Sequence, residues 1–169
     1  MFIANIQTLP DIQEAIDAIV ELHEKYFVQQ LKWGATFKND VRDYLDELLQ
    51  NYQPNIDGLW VVKNGNKIIA SIAIDGRQHE QKCARLRVFI VDQRYHHQGI
   101  GKSLLSQAIT FCKSSGYQRI ELWTFSDLFT AKQLYLSHGF KNIHERSVVY
   151  WGCQLQEQLF CLELQRESS

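Results

Sequence analysis

Apolar residues recur at helical spacing in four segments of the chain. The first segment begins after Asp11, which can cap a helix with a glutamate three residues later, and the second carries a clear apolar stripe that ends at Pro54. The third covers residues 100–116, and the fourth ends at Gly139, with Ser126 and Asp127 as candidate caps. The pattern therefore predicts four helices.

Short apolar runs rich in β-branched and aromatic residues predict seven strands. Asn64 and Gly65 separate two of these runs, and Asn-Gly is a strong signal for a β-hairpin. Because repeats, low-complexity tracts and linkers are absent from the sequence, we expect a single domain over residues 1–169. The predicted strands cover residues 2–7, 58–63, 67–75, 84–91, 119–125, 140–145 and 158–164.

Composition narrows the range of partners. The chain has 169 residues, of which 45% are hydrophobic and 22% charged, as in soluble globular proteins. Its formal net charge of −1 gives no overall basic field, so we expect no nucleic-acid partner. The N-terminus resembles no signal peptide and no apolar run is long enough to span a membrane, which predicts a cytoplasmic protein without membrane contact.

The histidines and cysteines give no metal-site pattern. The four cysteines show no CxxC spacing, so neither a zinc ribbon nor a thioredoxin-like motif is indicated. His96 and His97 are adjacent rather than spaced along one helical face, and the other histidines are scattered. We expect no bound metal.

A strand, a polar turn and a helix start follow one another between residues 89 and 105. Gly99 and Gly101 flank Ile100 at the start of the helix, where backbone N–H groups have no intrahelical acceptor. These N–H groups and the positive end of the helix dipole favour the binding of phosphate oxygens. Taken alone, the segment fits a glycine-containing helix entrance without a ligand equally well.

The turn resembles the Gln/Arg-x-x-Gly-x-Gly/Ala pattern of the GNAT superfamily of acyl-CoA-dependent N-acyltransferases. The resemblance implies that the turn holds the pyrophosphate of CoA and that the preceding strand bonds to pantetheine. His96 stands where the family usually has Gln or Arg. The implied cofactor-binding residues are Phe89, Ile90, Val91, His96, His97, Gln98, Gly99, Ile100, Gly101 and Lys102.

A second motif strengthens the resemblance. The segment from Ala131 to Phe140 is similar to the family's Ala-x-x-Leu-Tyr-x-x-x-Gly-Phe signature. By this resemblance Tyr135 is the catalytic residue, which protonates the departing CoA thiolate. The alternative is a tyrosine buried for its ring. Leu128 stands where the family often has an asparagine that contacts the cofactor.

Further segments resemble the acetyltransferase domain found fused to MarR-type winged-helix regulators, here without the DNA-binding half. The segments are His23–Phe27, Ser71–Gly76, Arg87–Asp92, Leu122–Ser126, Trp151-Gly152 and Glu157-Gln158. The resemblance implies an α/β fold of the GNAT type, with a mixed, mostly antiparallel sheet of about seven strands that is splayed near its centre and flanked by about four helices.

The implied activity is direct transfer of an acetyl group from acetyl-CoA to a primary amine. A CoA-binding sensor that transfers nothing is the alternative. The acceptor amine must lose a proton before it attacks, and Asp75, Glu121 and Glu145 are candidate bases. Trp33 and Phe37 lie where the pattern of the first two helices is interrupted. They are either core residues or a wall of the acceptor pocket. The oligomeric state is open, with a homodimer as one option.

Overall fold

A seven-stranded mixed sheet organises residues 1–165, the part of the chain that the computed structural model describes. The strand order is β1-β2-β3-β4-β5-β7-β6, and only β4 and β5 run parallel. The predicted α/β architecture with seven strands and four helices is confirmed. The strands are β1 Phe2–Asn5, β2 Gly58–Asn64, β3 Lys67–Gln78, β4 Cys83–Val91, β5 Arg119–Phe125, β6 Lys141–Tyr150 and β7 Cys153–Glu163. The helices are α1 Ile12–His23, α2 Thr36–Gln50, α3 Ile100–Ser114 and α4 Phe129–Ser137.

Local signals fix several helix and strand ends where the sequence predicts them. The Asp11 carboxylate accepts a hydrogen bond from the Glu14 N–H at 2.9 Å and caps α1. Gly116 and Gly139 follow α3 and α4 with φ angles of +82° and +92°, the left-handed conformation that glycine adopts without a Cβ penalty. Gly65 has φ +61° in the hairpin turn between β2 and β3.

The C-terminal hairpin is longer than predicted. Strands β6 and β7 extend through the polar stretch that the sequence predicts as a connection, with only Trp151 and Gly152 between them. Cross-strand polar pairs stabilise this part: Ser147 Oγ donates to Gln156 Oε1 at 2.9 Å, and Arg146 donates to Glu157 at 2.7 Å. Because β6 is largely exposed, it carries no clear apolar alternation that would reveal it in the sequence.

The start of α4 also differs from the prediction. The helix begins at Phe129, and no side chain caps it. The N-cap position is Leu128, so Ser126 and Asp127 lie before it, and the Ser126 backbone N–H donates to the Gln156 carbonyl at 2.9 Å. The predicted caps Ser126 and Asp127 are therefore wrong.

Two apolar layers cover the sheet. Helices α3 and α4 pack on one face, and α1 and α2 pack on the other. The first helix continues into a π-helical segment, Glu24–Gln30, a geometry often found at functional sites. No helix within residues 1–165 combines the length and apolar character that a membrane crossing requires.

The sheet splays between β4 and β5. The two strands pair only where Cys83–Arg85 of β4 faces Arg119–Glu121 of β5. Beyond these pairs the strands separate, so the β5-facing edge of β4 from Leu86 to Val91 has no strand partner. This separation opens the cleft that contains the candidate site.

Candidate active site

A cavity of about 910 Å³ occupies the cleft where β4 and β5 separate. It reaches from the start of α3, past the free edge of β4, to the connection between α1 and α2. Its size and mixed polar and apolar lining are typical of a small-molecule site. All of the predicted CoA-binding residues except Gln98 line this cavity, as does Tyr135.

A β-bulge changes the direction of β4 inside the cavity. Ala73 pairs with Arg87, whereas Ser71 pairs with Ile90, so Val88 and Phe89 have no partner on β3. Val88 has φ +45°, a strained conformation for a β-branched residue. The buried Ser71 hydroxyl donates to the Val88 carbonyl at 2.6 Å and holds the bulge. The sequence does not reveal the bulge, because it depends on a contact between Ser71 of β3 and Val88 of β4, which are far apart in the chain.

The start of α3 offers free backbone donors to an anion. Gly99 adopts φ +79° before the helix, and no side chain caps the first turn. The N–H groups of Ile100, Gly101 and Lys102 therefore have no intrahelical acceptor, and all three residues line the cavity. The helix dipole and the Lys102 ammonium group add positive potential there. This geometry suits a pyrophosphate group.

Gly99 and Gly101 are required in the turn for different structural reasons. A Cβ on Gly99 would meet no heavy atom within 4 Å, so this residue is required for its backbone conformation. A Cβ on Gly101 would lie 3.2 Å from Leu134 Cδ2 and 3.5 Å from Phe89 Cζ. Gly101 therefore allows α3 to lie close to α4 and to the strand that lines the cavity.

His96 stabilises the turn rather than presenting both ring nitrogens to the cavity. Its Nε2 lies 2.9 Å from the Val91 carbonyl oxygen. Because the carbonyl can only accept, Nε2 carries the proton and donates. His97 has φ +62° and also lines the cavity, whereas Gln98 is exposed outside it.

Tyr135 lies on α4 in a mostly apolar environment. Its side chain is 5% exposed and lines the cavity, and the ring centroids of Phe89 and Phe140 lie 6.0 and 5.7 Å away. No residue of the described part of the chain forms a hydrogen bond with its hydroxyl. Burial raises the pKa of Tyr135 well above its ordinary value, so the phenol stays protonated at neutral pH. A protonated phenol beside the cavity can donate a proton or a hydrogen bond.

An aromatic cluster closes the other end of the cavity. The Trp33 ring stacks on Trp151 with centroids 4.9 Å apart and planes 11° apart, so the tip of the β6–β7 hairpin packs on the α1–α2 connection. Gly34 N–H donates to the Trp151 carbonyl at 2.8 Å, and Trp151 Nε1 donates to Asp40 at 2.8 Å. Trp33 and Phe37 are buried and also line the cavity, so burial alone does not separate the two alternatives left open by the sequence. The cluster consists of Phe27, Trp33, Phe37, Phe125, Tyr150 and Trp151.

His23 lies beneath this cluster as a neutral imidazole. The ring is 4% exposed, and its Nδ1 donates to the Ile19 carbonyl at 2.8 Å. Burial lowers the pKa of His23 from 6.5 to about 4, although the bond to Ile19 opposes this shift. Since Nδ1 carries the proton, Nε2 has a free lone pair on a residue that lines the cavity.

The three candidate bases proposed from the sequence lie outside the cavity. Asp75 is buried and accepts a hydrogen bond from Tyr44 at 2.7 Å, and Glu121 pairs with Arg119 at 3.2 Å. Glu145 accepts from Gln158 at 2.6 Å on the β6–β7 sheet edge. None of the three lines the cavity. Within residues 1–165, no three His, Cys, Asp or Glu side chains cluster in a way that could hold a metal ion.

Known proteins resemble this chain in sequence. Human N-acetyltransferase 8B is 23% identical over 131 residues, which are 75% of this chain and 58% of that protein. An uncharacterized N-acetyltransferase of Methanocaldococcus jannaschii is 25% identical over 148 residues, which are 81% of this chain and 60% of the relative. The chain thus spans about three fifths of the length of these curated relatives.

Solved structures share the fold. The ribosomal-protein-alanine N-acetyltransferase of Brucella melitensis superposes with a TM-score of 0.75 at 14% identity, over 97% of this chain and all of that one. The ribosomal-protein-S18-alanine N-acetyltransferase of Escherichia coli gives 0.72 at 16% identity, over 99% and 96% of the two chains. The model of the acetyltransferase (GNAT) family matches residues 16–140. The chain therefore belongs to the GNAT family of acetyltransferases, and its fold is the GNAT fold.

Proposed function

We propose that the protein transfers an acetyl group directly from acetyl-CoA to a primary amine. One observation carries the proposal: the uncapped start of α3 and the Tyr135 phenol face the same cavity, and the free edge of β4 also lines it. These are the three elements that acyl transfer from a CoA thioester requires, namely an anion site, a strand edge for an amide-containing arm and a proton donor.

The donor would bind along β4. The N–H groups of Ile100, Gly101 and Lys102 would hold the pyrophosphate, with His96 keeping the turn in place through Val91. The free edge from Phe89 to Val91 offers backbone donors and acceptors to the two amides of pantetheine. His97 and Gln98 are proposed as flanking contacts of the turn.

The chemistry would take place at the bulge. Val88 and Phe89 make no ladder pair with β3, and the Val88 carbonyl already accepts from Ser71, so the N–H groups of the bulge would be the donors to a thioester carbonyl in the cavity. The neutral acceptor amine attacks that carbonyl, the C–N bond forms and the C–S bond breaks. Tyr135 donates its proton to the departing sulfur, and the amine's proton leaves to water or to a base at the acceptor end. Solvent then returns a proton to the Tyr135 phenolate, so the net change moves one proton from the amine to the CoA sulfur.

The alternative is a sensor that binds CoA without transfer. A tyrosine hydroxyl without a partner in the described part of the chain favours the enzyme, because anion binding alone does not require such a group. The experiment is thiol release from acetyl-CoA with a panel of primary amines, with mass spectrometry of each amine. A gain of one acetyl group supports the enzyme, whereas acetyl-CoA binding without release from any amine would support the sensor.

Other expectations stay proposals. We propose a single domain over residues 1–169, a cytoplasmic location, acetyl-CoA and an amine as the only ligands, no metal, no nucleic-acid or membrane partner, and a homodimer as one possible assembly. The similarity to the acetyltransferase domain of MarR-type fusion proteins is likewise a prediction.

A further inference from the structure

An arginine without an ion pair lines the cavity at the point where the sheet splays. Arg87 lies two residues beyond Arg85, the last residue of β4 that pairs with β5. Within residues 1–165, no carboxylate oxygen lies within 4.0 Å of its guanidinium nitrogens. Arg85 likewise has no carboxylate of the described residues within this distance and lines the cavity, whereas a carboxylate lies between 2.7 and 3.2 Å from each of the arginines Arg42, Arg77, Arg94, Arg119 and Arg146.

The nearest aromatic and acidic neighbours leave the Arg87 donors free. The Arg87 Cζ lies over the Tyr44 ring, 4.1 Å from its centroid, which is a cation–π contact. Asp75, the neighbouring acid, accepts instead from the Tyr44 hydroxyl at 2.7 Å and from the Arg77 N–H at 3.4 Å. A guanidinium that makes a cation–π contact keeps its planar fork of N–H donors, and this fork can bind a carboxylate in bidentate fashion.

The environment of Arg87 makes such an anion favourable. The side chain is partly buried, and desolvation lowers its pKa. A buried charge is costly unless it is paired. Since the chain itself supplies no partner within the described residues, a negatively charged group of a ligand in the cavity would compensate this cost.

The other end of the same cavity is largely aromatic, and the Asp40 carboxylate, which accepts from Trp151, also lines it. Phe37 and Tyr44 both line it from α2 and lie seven residues apart, which corresponds to about 10 Å along a helix. Phe37 belongs to the aromatic cluster, together with Trp33 and Trp151. The cavity therefore has a cationic end at Arg87 and an aromatic end at Phe37, with the bulge at Val88 next to the cationic end.

From this arrangement we infer that the acceptor is a free α-amino acid with a large apolar side chain, an inference that rests on the proposed acetyl transfer. Arg87 binds the α-carboxylate and the aromatic cluster holds the side chain. Only one carbon atom separates the α-amine from the carboxylate, so the amine lies beside Arg87 and faces the bulge at Val88. This is where the thioester carbonyl would be held.

The test compares two acceptors that differ only in the carboxylate, L-phenylalanine and 2-phenylethylamine. In the parent protein we expect a higher kcat/KM for phenylalanine. Arg87→Gln should lower kcat/KM for phenylalanine about 10- to 100-fold, the range for a lost hydrogen-bonded charge, mainly through KM. It should change the value for phenylethylamine less than about twofold. Arg87→Lys keeps the charge without the bidentate geometry and should fall between the two.

Arg77→Gln is the matched control. Arg77 also lies over the Tyr44 ring, at 5.5 Å, but it pairs with Glu47 and does not line the cavity. We expect this variant to leave both acceptors unaffected. Circular dichroism and acetyl-CoA affinity verify that each variant folds and binds the donor.

Several results would overturn the inference. An equal loss for both acceptors in Arg87→Gln would assign Arg87 a structural role. A parent protein that acetylates other amines but no amino acid would remove the carboxylate site and leave acetyl transfer intact, whereas a lack of thiol release with every amine would refute the transfer itself. If Arg87→Gln does not fold, calorimetry on the parent with CoA compares N-acetylphenylalanine with its neutral amide, and equal affinities would again refute the site.

Discussion

Replacing Tyr135 by phenylalanine tests the proposed proton donor with little structural disturbance. The substitution keeps the ring and its packing against Phe89, Phe140 and Phe160, whose centroids lie between 5.7 and 6.1 Å away. No described residue bonds to the hydroxyl, so its removal leaves no protein group unsatisfied. We therefore expect the free energy of unfolding to change by less than about 0.5 kcal/mol.

The effect on catalysis should be much larger. General acid catalysis contributes about 10²-fold or more, so kcat should fall by about that factor, equivalent to about 2.7 kcal/mol in the activation barrier. Affinity for acetyl-CoA should change little, because the anion site at α3 is untouched. The sign of the pH effect follows from burial: it disfavours the charged phenolate, raises the pKa of Tyr135 and keeps the active, protonated form present through alkaline pH. At every pH up to about 10, the parent's kcat should therefore show no decrease caused by ionisation of Tyr135.

The assay is pre-steady-state thiol release with an amine for which chemistry is rate-limiting. It is accompanied by calorimetric titration with acetyl-CoA and by denaturant unfolding. Should the Tyr135→Phe variant retain a kcat close to the parental value, the residue would be a packing residue. A fall in kcat accompanied by a large loss of stability would equally contradict the argument, because the structure predicts that the two are separate.

The remaining predictions concern three other positions. Gly99→Asp should weaken acetyl-CoA binding at least about 10-fold more than Gly99→Asn in calorimetry, because both side chains tolerate the left-handed backbone but only aspartate repels phosphate; equal losses would contradict the pyrophosphate assignment. The pKa of His23 is 6.5 in the unfolded chain and about 4 in the folded protein. As the pH falls from 6.5 towards 4, the unfolded chain gains a proton that the folded protein does not, so the free energy of unfolding falls. Between pH 7 and 5 the expected loss is about 2 kcal/mol, measured by denaturant titration. His23→Leu should remove this loss, and a variant that still shows it would refute the assignment. Trp33→Ala should cost about 3–5 kcal/mol of stability because the ring is buried, and an unchanged ratio of acceptor KM to acetyl-CoA KM would reject its role as a pocket wall.

The sequence by itself determined the order of elements and the two motifs of the donor site. Helical and strand periodicities predict the elements because each buries one face, and short-range signals such as the Asp11 cap and the glycine after α3 act through neighbouring backbone atoms. The glycine turn and the Tyr135 motif are likewise local, so both can be found in the sequence without coordinates. The sequence predicts both strands of the β6–β7 hairpin but not their extension to Tyr150 and Cys153, because neither face of β6 is strongly buried.

Only the tertiary structure decided which side chains share the aromatic end of the cavity. Trp151 reaches Trp33 from a hairpin more than one hundred residues away in the chain, and the bulge at Val88 depends on the Ser71 hydroxyl of the neighbouring strand. The unpaired state of Arg87 follows from the preference of Asp75 for Tyr44, which no spacing in the sequence reveals. Contacts between distant segments depend on how the layers pack, and periodicity carries information only about each segment's own buried face.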